Sequence, residues 1–241
     1  MIRYMAALLA WLLIIPAQAG VMASSTRVIY QATDREKSLM LVNTNDYPVI
    51  VQSWVDDGTG DPDSARAPFV ILPPVQRVAP KGIQSLRILY NQEPLPTDRE
   101  SVFWLNLYEI PSAIGKVKDE RKLALAMNTQ QKIFYRPKGV SLSLKDAVSR
   151  LSFHLKHDGA QWFIECVNPT PLHISFTSIT LLNGSSESAV QQQPDMMTAP
   201  FSTKNYALKD VSNLTNKGII RFRYLDDAGE QHSVEGKLTS G

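Results

Sequence analysis

Cysteine is almost absent from this chain. Cys166 is the only one among 241 residues. A single cysteine cannot form an intramolecular disulfide, so the folded state must depend on its hydrophobic cores. Cys166 lies among apolar residues in the segment FIECVNP, which favours a small buried side chain over a reactive thiol.

Long apolar segments are also lacking. The run Ala6–Ile15 is about half the roughly 20 residues that a membrane-spanning helix needs. Arg3 precedes it and the small-residue segment Ala17–Ala19 follows it, a pattern typical of a bacterial signal peptide. We therefore expect residues 1–19 to be removed by cleavage near Ala19. The mature protein should begin near Gly20, be soluble and not insert into a membrane.

The charge distribution gives no indication of a nucleic-acid partner. The formal net charge is +2 and the pI is about 8.6, and the sequence contains no basic cluster. The absence of a concentrated positive surface argues against DNA or RNA as the ligand.

Metal-binding and catalytic motifs are missing as well. His154 and His157 fall on opposite faces of a predicted strand, and no nearby acidic residue or cysteine completes a metal site. The pairs Asp56–Asp57 and Asp226–Asp227 occur in predicted turns, where solvated carboxylates are common. Neither a nucleophile elbow, a P-loop nor an HExxH sequence occurs. We expect no metal, no cofactor and no enzymatic activity.

Short runs rich in β-branched and aromatic residues dominate the remainder, together with 15 prolines. About seven strands in about 115 residues are typical of an immunoglobulin-like sandwich. One of these elements is interrupted by Pro73–Pro74, which favours a broken or edge strand. The predicted strands are Thr26–Gln31, Ser38–Asn43, Val49–Val55, Phe69–Leu72 with Gln76–Val78, Ile83–Tyr90, Val102–Glu109 and Leu123–Tyr135.

A second domain is predicted after the segment Pro137–Lys145, where proline and glycine follow a complete set of strands. The expected division is a signal peptide at 1–19, an N-terminal domain at 20–138 and a C-terminal domain at 139–241. Residues 185–199 have a weak strand pattern and are predicted to be a loop. The strands predicted here are Leu151–Lys156, Trp162–Val167, Ile174–Leu182, Ile219–Leu225 and Ser233–Leu238.

The strand Leu123–Tyr135 is unusually long and contains neither glycine nor proline. Strands in globular proteins usually have about five or six residues. Alternation places Leu123, Leu125 and Met127 on one face. We interpret this strand as a sheet edge that is offered to another polypeptide.

Several segments resemble the periplasmic pilus (fimbrial) assembly chaperone family, whose members are PapD-like. The matching segments are TRVIY, NTNDYP, PPVQRVAPKGIQSLRI, TDRESVFWLNLYEIP, QKIFYRP and WFIECVNPTPLHISF. The resemblance implies two immunoglobulin-like domains arranged as an L, and a periplasmic location. It also implies that Arg27 and Lys132 anchor the C-terminal carboxylate of a pilus subunit. The chaperone would then deliver this subunit to an outer-membrane usher.

The resemblance implies further features of the long strand and the domain junction. Leu123, Leu125 and Met127 would enter the subunit core by donor-strand complementation, a form of strand addition. Glu100 and Arg136 would form an ion pair between the domains. The third position of that network aligns with Asn213, a neutral departure from the family, although Asp210 is close enough to substitute.

When no subunit is bound, the exposed edge of the long strand can pair with other chains and cause aggregation. We expect the free protein to cover it by self-association or by disorder of residues 114–121. The short loop before the strand resembles the branch of the family linked to rod-like pili. The family often has a second-domain disulfide, which this chain cannot form.

One alternative is an exported immunoglobulin-like structural or adhesive module in which the long strand is simply buried. It explains the number of strands, but not the positions of Arg27 and Lys132 or the FYRP ending.

Overall fold

The strands of this protein form two β-sandwiches. A computed structural model describes residues 20–64, 67–111, 126–159, 161–184, 186–209 and 218–239. The predicted signal peptide lies outside these ranges. The strands of the N-terminal sandwich are β1 (Val21–Ala23), β2 (Arg27–Gln31), β3 (Lys37–Asn43), β4 (Val49–Asp56), β5 (Phe69–Leu72), β6 (Val75–Val78), β7 (Ile83–Tyr90), β8 (Ser101–Pro111) and β9 (Met127–Arg136). A short 3-10 helix spans Pro62–Ser64.

The N-terminal sandwich consists of one sheet in the order β1-β3-β7-β5 and another in the order β2-β9-β8-β4-β6. Alternate residues of each strand point inward, because successive side chains lie on opposite faces of a strand. Their apolar side chains form a single core between the sheets. Its fully buried members include Tyr30, Leu39, Leu41, Val49, Val51, Leu86, Ile88, Leu105 and Ile133.

The first segment of the chain contributes to both sheets. β1 pairs with β3 in one sheet, whereas β2 pairs in parallel with β9 in the other. β2 covers only Lys132–Arg136 of β9. The preceding half, Met127–Gln131, pairs with β8 alone. Among the described residues, this half of β9 therefore has one edge without a partner.

The C-terminal sandwich contains a three-stranded sheet in the order β10-β11-β15 and a second sheet in the order β13-β12-β16-β17, with β14 paired to β12. Its core includes Phe153, Ile164, Cys166, Tyr206 and Phe222. The strands are β10 (Ser152–Asp158), β11 (Gln161–Asn168), β12 (Ile174–Asn183), β13 (Ser186–Ala189), β14 (Met197–Thr198), β15 (Ser202–Ala207), β16 (Ile219–Leu225) and β17 (Gln231–Lys237).

A short helix, α1 (Leu144–Val148), begins at the end of the segment Pro137–Lys145 that was predicted as a domain boundary, and it was not itself predicted. Ser143 is its N-cap, and the Ser143 Oγ accepts a hydrogen bond from the Asp146 backbone N–H at 3.1 Å. Ala147 and Val148 anchor the helix in the C-terminal core. The helices found within the described ranges all fall short of the length and hydropathy that a membrane span requires.

The all-β class with two immunoglobulin-like domains is confirmed, and β5 and β6 lie at the edges of opposite sheets on either side of Pro73–Pro74. The loop predicted for residues 185–199 is wrong in part, since it contains β13 and β14. β1 and β15 were not predicted. β15 reads STKNYA and buries only Tyr206, so it carries almost no apolar alternation.

Cys166 should be unreactive in the folded protein. Its side chain is fully buried, and burial raises the pKa of the thiol to about 12. Because the thiolate is the nucleophile, we expect no labelling by a thiol reagent at about pH 8, where exposed cysteines react readily. One thiol should react once denaturant unfolds the chain. Rapid labelling of the native protein would contradict this placement.

Candidate functional site

The candidate site lies where the outer face of the β2-β9-β8 sheet meets the C-terminal sandwich. Arg27 of β2 and Lys132 of β9 are direct partners in the parallel pair, so their side chains leave the same face of the sheet. Alternation adds Phe134 and Arg136 to this face. The two basic residues predicted as a pair are therefore neighbours in the structure.

Arg27 is buried and incompletely paired. Its Nη1 donates a hydrogen bond to the Leu225 carbonyl oxygen at 3.3 Å, and its guanidinium lies over the Phe134 ring at 5.7 Å from the centroid. Its Nε is buried without a hydrogen-bond partner. Burial lowers the pKa of Arg27, and the charges of Asp227, Asp226 and Glu100 offset only part of that effect. A buried cation with an unused donor favours an anionic ligand.

Lys132 has a charged partner from the other domain. Its Nζ donates to Asp195 Oδ1 at 2.9 Å. Asp195 lies in the segment between β13 and β14 of the C-terminal sandwich. The two predicted anchor residues therefore differ, because Lys132 is neutralised within the chain whereas Arg27 keeps a free donor.

Arg136 joins the two domains through a two-sided fork. Its Nε and Nη2 donate to Glu100 Oε1 at 2.9 and 2.7 Å. Its Nη1 and Nη2 donate to the Asp227 carboxylate at 2.7 and 2.9 Å. Burial alone would lower the pKa of Arg136, but the hydrogen bonds and charges of Asp227 and Glu100 outweigh it and raise the pKa.

Glu100 links the network to a second point of the C-terminal sandwich. It is 3% exposed, and its Oε2 accepts the His173 backbone N–H at 2.8 Å. The His173 Nδ1 lies 3.3 Å from the same oxygen. Arg27 and Arg136 line one interdomain cleft together with Glu100, His173 and Asp227.

Asp227 is a member of the Arg136 network that was not predicted from the sequence. Asn213 and Asp210, the residues considered for the third position of that network, both lie outside the described residues. The turn at Asp226 exists, since the Gly229 N–H donates to the Asp226 carbonyl oxygen. The Asp227 side chain, however, points back to Arg136. No sequence signal indicates this contact, because the two residues are 91 positions apart.

Asp226, Glu230 and His232 place potential metal ligands within 4.8 Å of one another. The Asp226 carboxylate already accepts the backbone N–H groups of Ala228 and Glu230 and lies 2.7 Å from His232 Nε2. These contacts stabilise the β16–β17 turn and account for the cluster without an ion.

An amide network that was not predicted from the sequence joins the unpaired half of β9 to β8 and β4. Asn106 of β8 and Asp56 of β4 are both fully buried. Asn106 Nδ2 donates to Asp56 Oδ2 at 2.8 Å, which leaves Asn106 Oδ1 as an acceptor. Asn128 Nδ2 and Gln130 Nε2 both donate to it, at 3.0 and 2.9 Å.

The opposite face of the same half-strand is exposed at its start and buried at Gln131. Met127 is 52% exposed and shares its face with Ile133, which is fully buried in the N-terminal core. Of the three residues predicted to enter a partner, only Met127 is described. Leu123 and Leu125 lie outside the described residues.

Arg136→Ala should destabilise the protein strongly, because it leaves the buried carboxylate of Glu100 without its cation. Breaking a buried ion pair in this way costs about 3–5 kcal/mol. Unfolding in urea should show a loss of this size in the free energy of unfolding.

The matched control is Arg221→Ala, which removes exposed contacts with Glu235 at 2.9 Å and Glu187 at 3.6 Å. It should cost less than about 1 kcal/mol. Equal effects of the two substitutions would show that the Arg136 network contributes no more than a surface pair.

Two family models match the chain in succession. Residues 20–141 match "Pili and flagellar-assembly chaperone, PapD N-terminal domain", and residues 146–236 match "Pili assembly chaperone PapD, C-terminal domain". Among curated proteins, the chain is 35% identical over 219 residues to the chaperone protein FimB/FhaD of Bordetella pertussis, covering 88% of this chain and 86% of that protein. It is 34% identical over 225 residues to the probable fimbrial chaperone YadV of Escherichia coli, covering 90% and 89%.

Solved structures agree with these matches. The crystal structure of the YadV chaperone has a TM-score of 0.78 and 30% sequence identity, covering 90% of this chain and 99% of that one. A structure of the Salmonella enterica SafA pilin in complex with the SafB chaperone has a TM-score of 0.75 and 26% identity, covering 93% and 99%. The chain therefore belongs to the PapD-like family of pili assembly chaperones.

Proposed function

We propose that this protein is a periplasmic chaperone that binds pilus subunits by donating a strand to them and delivers them to an outer-membrane usher. The observation that carries the proposal is the half-paired strand β9, whose free edge ends at Arg27 and Lys132. Relatives named as fimbrial chaperones and the SafB–SafA complex support it. Residues 1–19 would direct export and be cleaved near Ala19, which would leave domains at 20–138 and 139–241.

The geometry sets the direction of a guest strand. A strand added beside Met127–Gln131 would lie in line with β2, whose first residue, Arg27, is paired with Lys132. If the guest C-terminus lies at these cations, its chain runs towards Lys132 from the Met127 end. The guest would then pair in parallel with β9, as β2 does. Strand donation from chaperone to pilin is an established form of strand addition.

The terminal carboxylate would be held by two different cations. The unpartnered Nε of Arg27 provides a buried donor for an anion, and a guanidinium presents several donors in one plane. Lys132 adds a second charge from the adjacent strand. Charge-assisted hydrogen bonds from both would fix one end of the guest and with it the register of the whole pairing.

Donor residues would lie on the inner face of β9. Met127 shares this face with Ile133, and by alternation Leu123 and Leu125 continue the same row in the sequence. A subunit that lacks its last strand exposes an apolar groove and an unpaired edge. A row of large apolar side chains on an adjoining strand would cover both.

Like its subunit, the free protein would expose an unpaired strand edge, which promotes aggregation. We infer that it self-associates through β9 when no subunit is bound, and that subunit binding and self-association exclude each other. The alternative of a structural or adhesive module with a buried strand conflicts with residues 126–130, all of which are exposed.

Removal of either anchor cation should abolish subunit binding. We expect the mature protein, isolated from the periplasm of its native host, to copurify with a small pilin-like protein that mass spectrometry identifies. Arg27→Ala and Lys132→Ala should lose it, and Arg27→Lys should not restore it because lysine lacks the planar fork.

Arg87→Ala serves as the control, since Arg87 is an exposed arginine of the same domain that pairs with Glu36 at 3.3 Å. It should keep the subunit. Folded anchor variants that retain their partner would contradict the anchor assignment.

Leu125→Asp separates strand donation from a buried core strand. A donor residue can carry a charge in the free protein, so the variant should fold with an unchanged melting temperature and fail to bind the subunit. Ala124→Asp, on the opposite face by alternation, should bind normally. A Leu125→Asp protein that cannot fold would support the buried-strand alternative instead.

A further inference from the structure

The anchor lysine is already in contact with a carboxylate of this chain. Lys132 Nζ lies 2.9 Å from Asp195 Oδ1, and the two residues are 63 positions apart. Chemically, an aspartate side chain and the C-terminus of a polypeptide present the same group. Asp195 thus occupies in the free protein the partner position that the proposed function gives to the subunit.

Asp195 is held at this position by its own domain. Lys204 Nζ of β15 donates to the Asp195 carbonyl oxygen at 2.6 Å and to the Met197 carbonyl oxygen at 3.1 Å. The Met196 carbonyl oxygen accepts the Phe176 backbone N–H at 2.6 Å. These bonds fix the backbone at the aspartate and at the two residues that follow it, so the fold holds its carboxylate beside Lys132.

A second cation lies within reach of the same carboxylate. Lys204 Nζ is 3.8 Å from Asp195 Oδ2. When another anion takes Lys132, Asp195 can therefore keep a charged partner by a side-chain rotation. The Asp195 side chain is 44% exposed, so water also compensates the lost contact.

We propose that Asp195 is an internal competitor for the subunit carboxylate and so raises the affinity that a chain end needs for stable binding; this inference rests on the proposed function. An incoming carboxylate enters at Arg27, whose donor is free, and then displaces Asp195 from Lys132 towards Lys204. Every incoming carboxylate must make this exchange, so each binds more weakly by the same factor. A carboxylate without a strand that pairs with β9 has little other binding energy, so this loss matters most for free carboxylates and unrelated chain ends.

The size of the effect follows from the exposure of the pair. Partly exposed ion pairs contribute little interaction free energy. Losing such a pair on binding corresponds to about a two- to fivefold change in affinity. Asp195→Asn, which removes the charge and keeps the shape, should therefore bind a matching carboxylate about two- to fivefold more tightly. Asp195→Glu, which keeps the charge, should behave like the unaltered protein.

The test uses the mature chain and a soluble peptide of alternating valine and threonine with lysines at its N-terminus, made with either a free C-terminal carboxylate or a C-terminal amide. We expect calorimetry at low salt to show tighter binding of the free acid by Asp195→Asn and no change for the amide. Asp46→Asn removes the carboxylate of an exposed pair with Lys81 and should change neither.

Each outcome has a separate meaning. If the unaltered protein prefers the free acid but Asp195→Asn binds it no more tightly, Asp195 is not a competitor and only this inference fails. The same holds if Asp195→Asn gains equally for acid and amide. If the unaltered protein binds acid and amide equally, and Arg27→Ala changes nothing, the carboxylate anchor itself fails and the competitor role fails with it.

Discussion

A half-paired strand is the constraint on which the rest of this structure depends. β2 reaches only the second half of β9, because the first segment of the chain changes from one sheet to the other between β1 and β2. Unpaired N–H and C=O groups on a free edge attract other strands. The buried pair Asn106 and Asp56 holds the outer side of this edge through Asn128 and Gln130, which leaves the edge and the inner face available.

Three cations lie on the outer face of β2 and β9, and they differ in how many carboxylates pair with them. Arg136 is saturated by two carboxylates and connects the domains. Lys132 has one carboxylate, that of Asp195, which is partly exposed. Arg27 has no carboxylate within ion-pair distance among the described residues, and one of its donors is unused. The three cations thus differ in how fully their charge is paired within the chain, from Arg136 with two carboxylates to Arg27, whose Nε has no partner.

Local patterns predicted most strands, because alternation of apolar residues is a property of short segments. They failed for β15, which buries only Tyr206, and for α1, which begins at a serine cap inside a proline- and glycine-containing segment. The residues of the candidate site were harder to predict from the sequence than the strands were. Isolated cations such as Arg27 and Lys132 look like solvated strand residues, and only the family resemblance singled them out. Asp227 and Asp195 reach their partners across 91 and 63 residues, so neither had a local signal.

Hydrogen exchange of the β9 amides tests the central claim most directly. The measurement compares free protein, diluted until sedimentation shows a monomer, with the subunit-loaded protein. The account predicts that every second amide within Met127–Gln131 exchanges rapidly in the free protein and becomes strongly protected on loading, while Lys132–Arg136 are protected in both states. Equal protection of Met127–Gln131 before and after loading would contradict it, because the edge would then already be occupied or would never pair with the subunit.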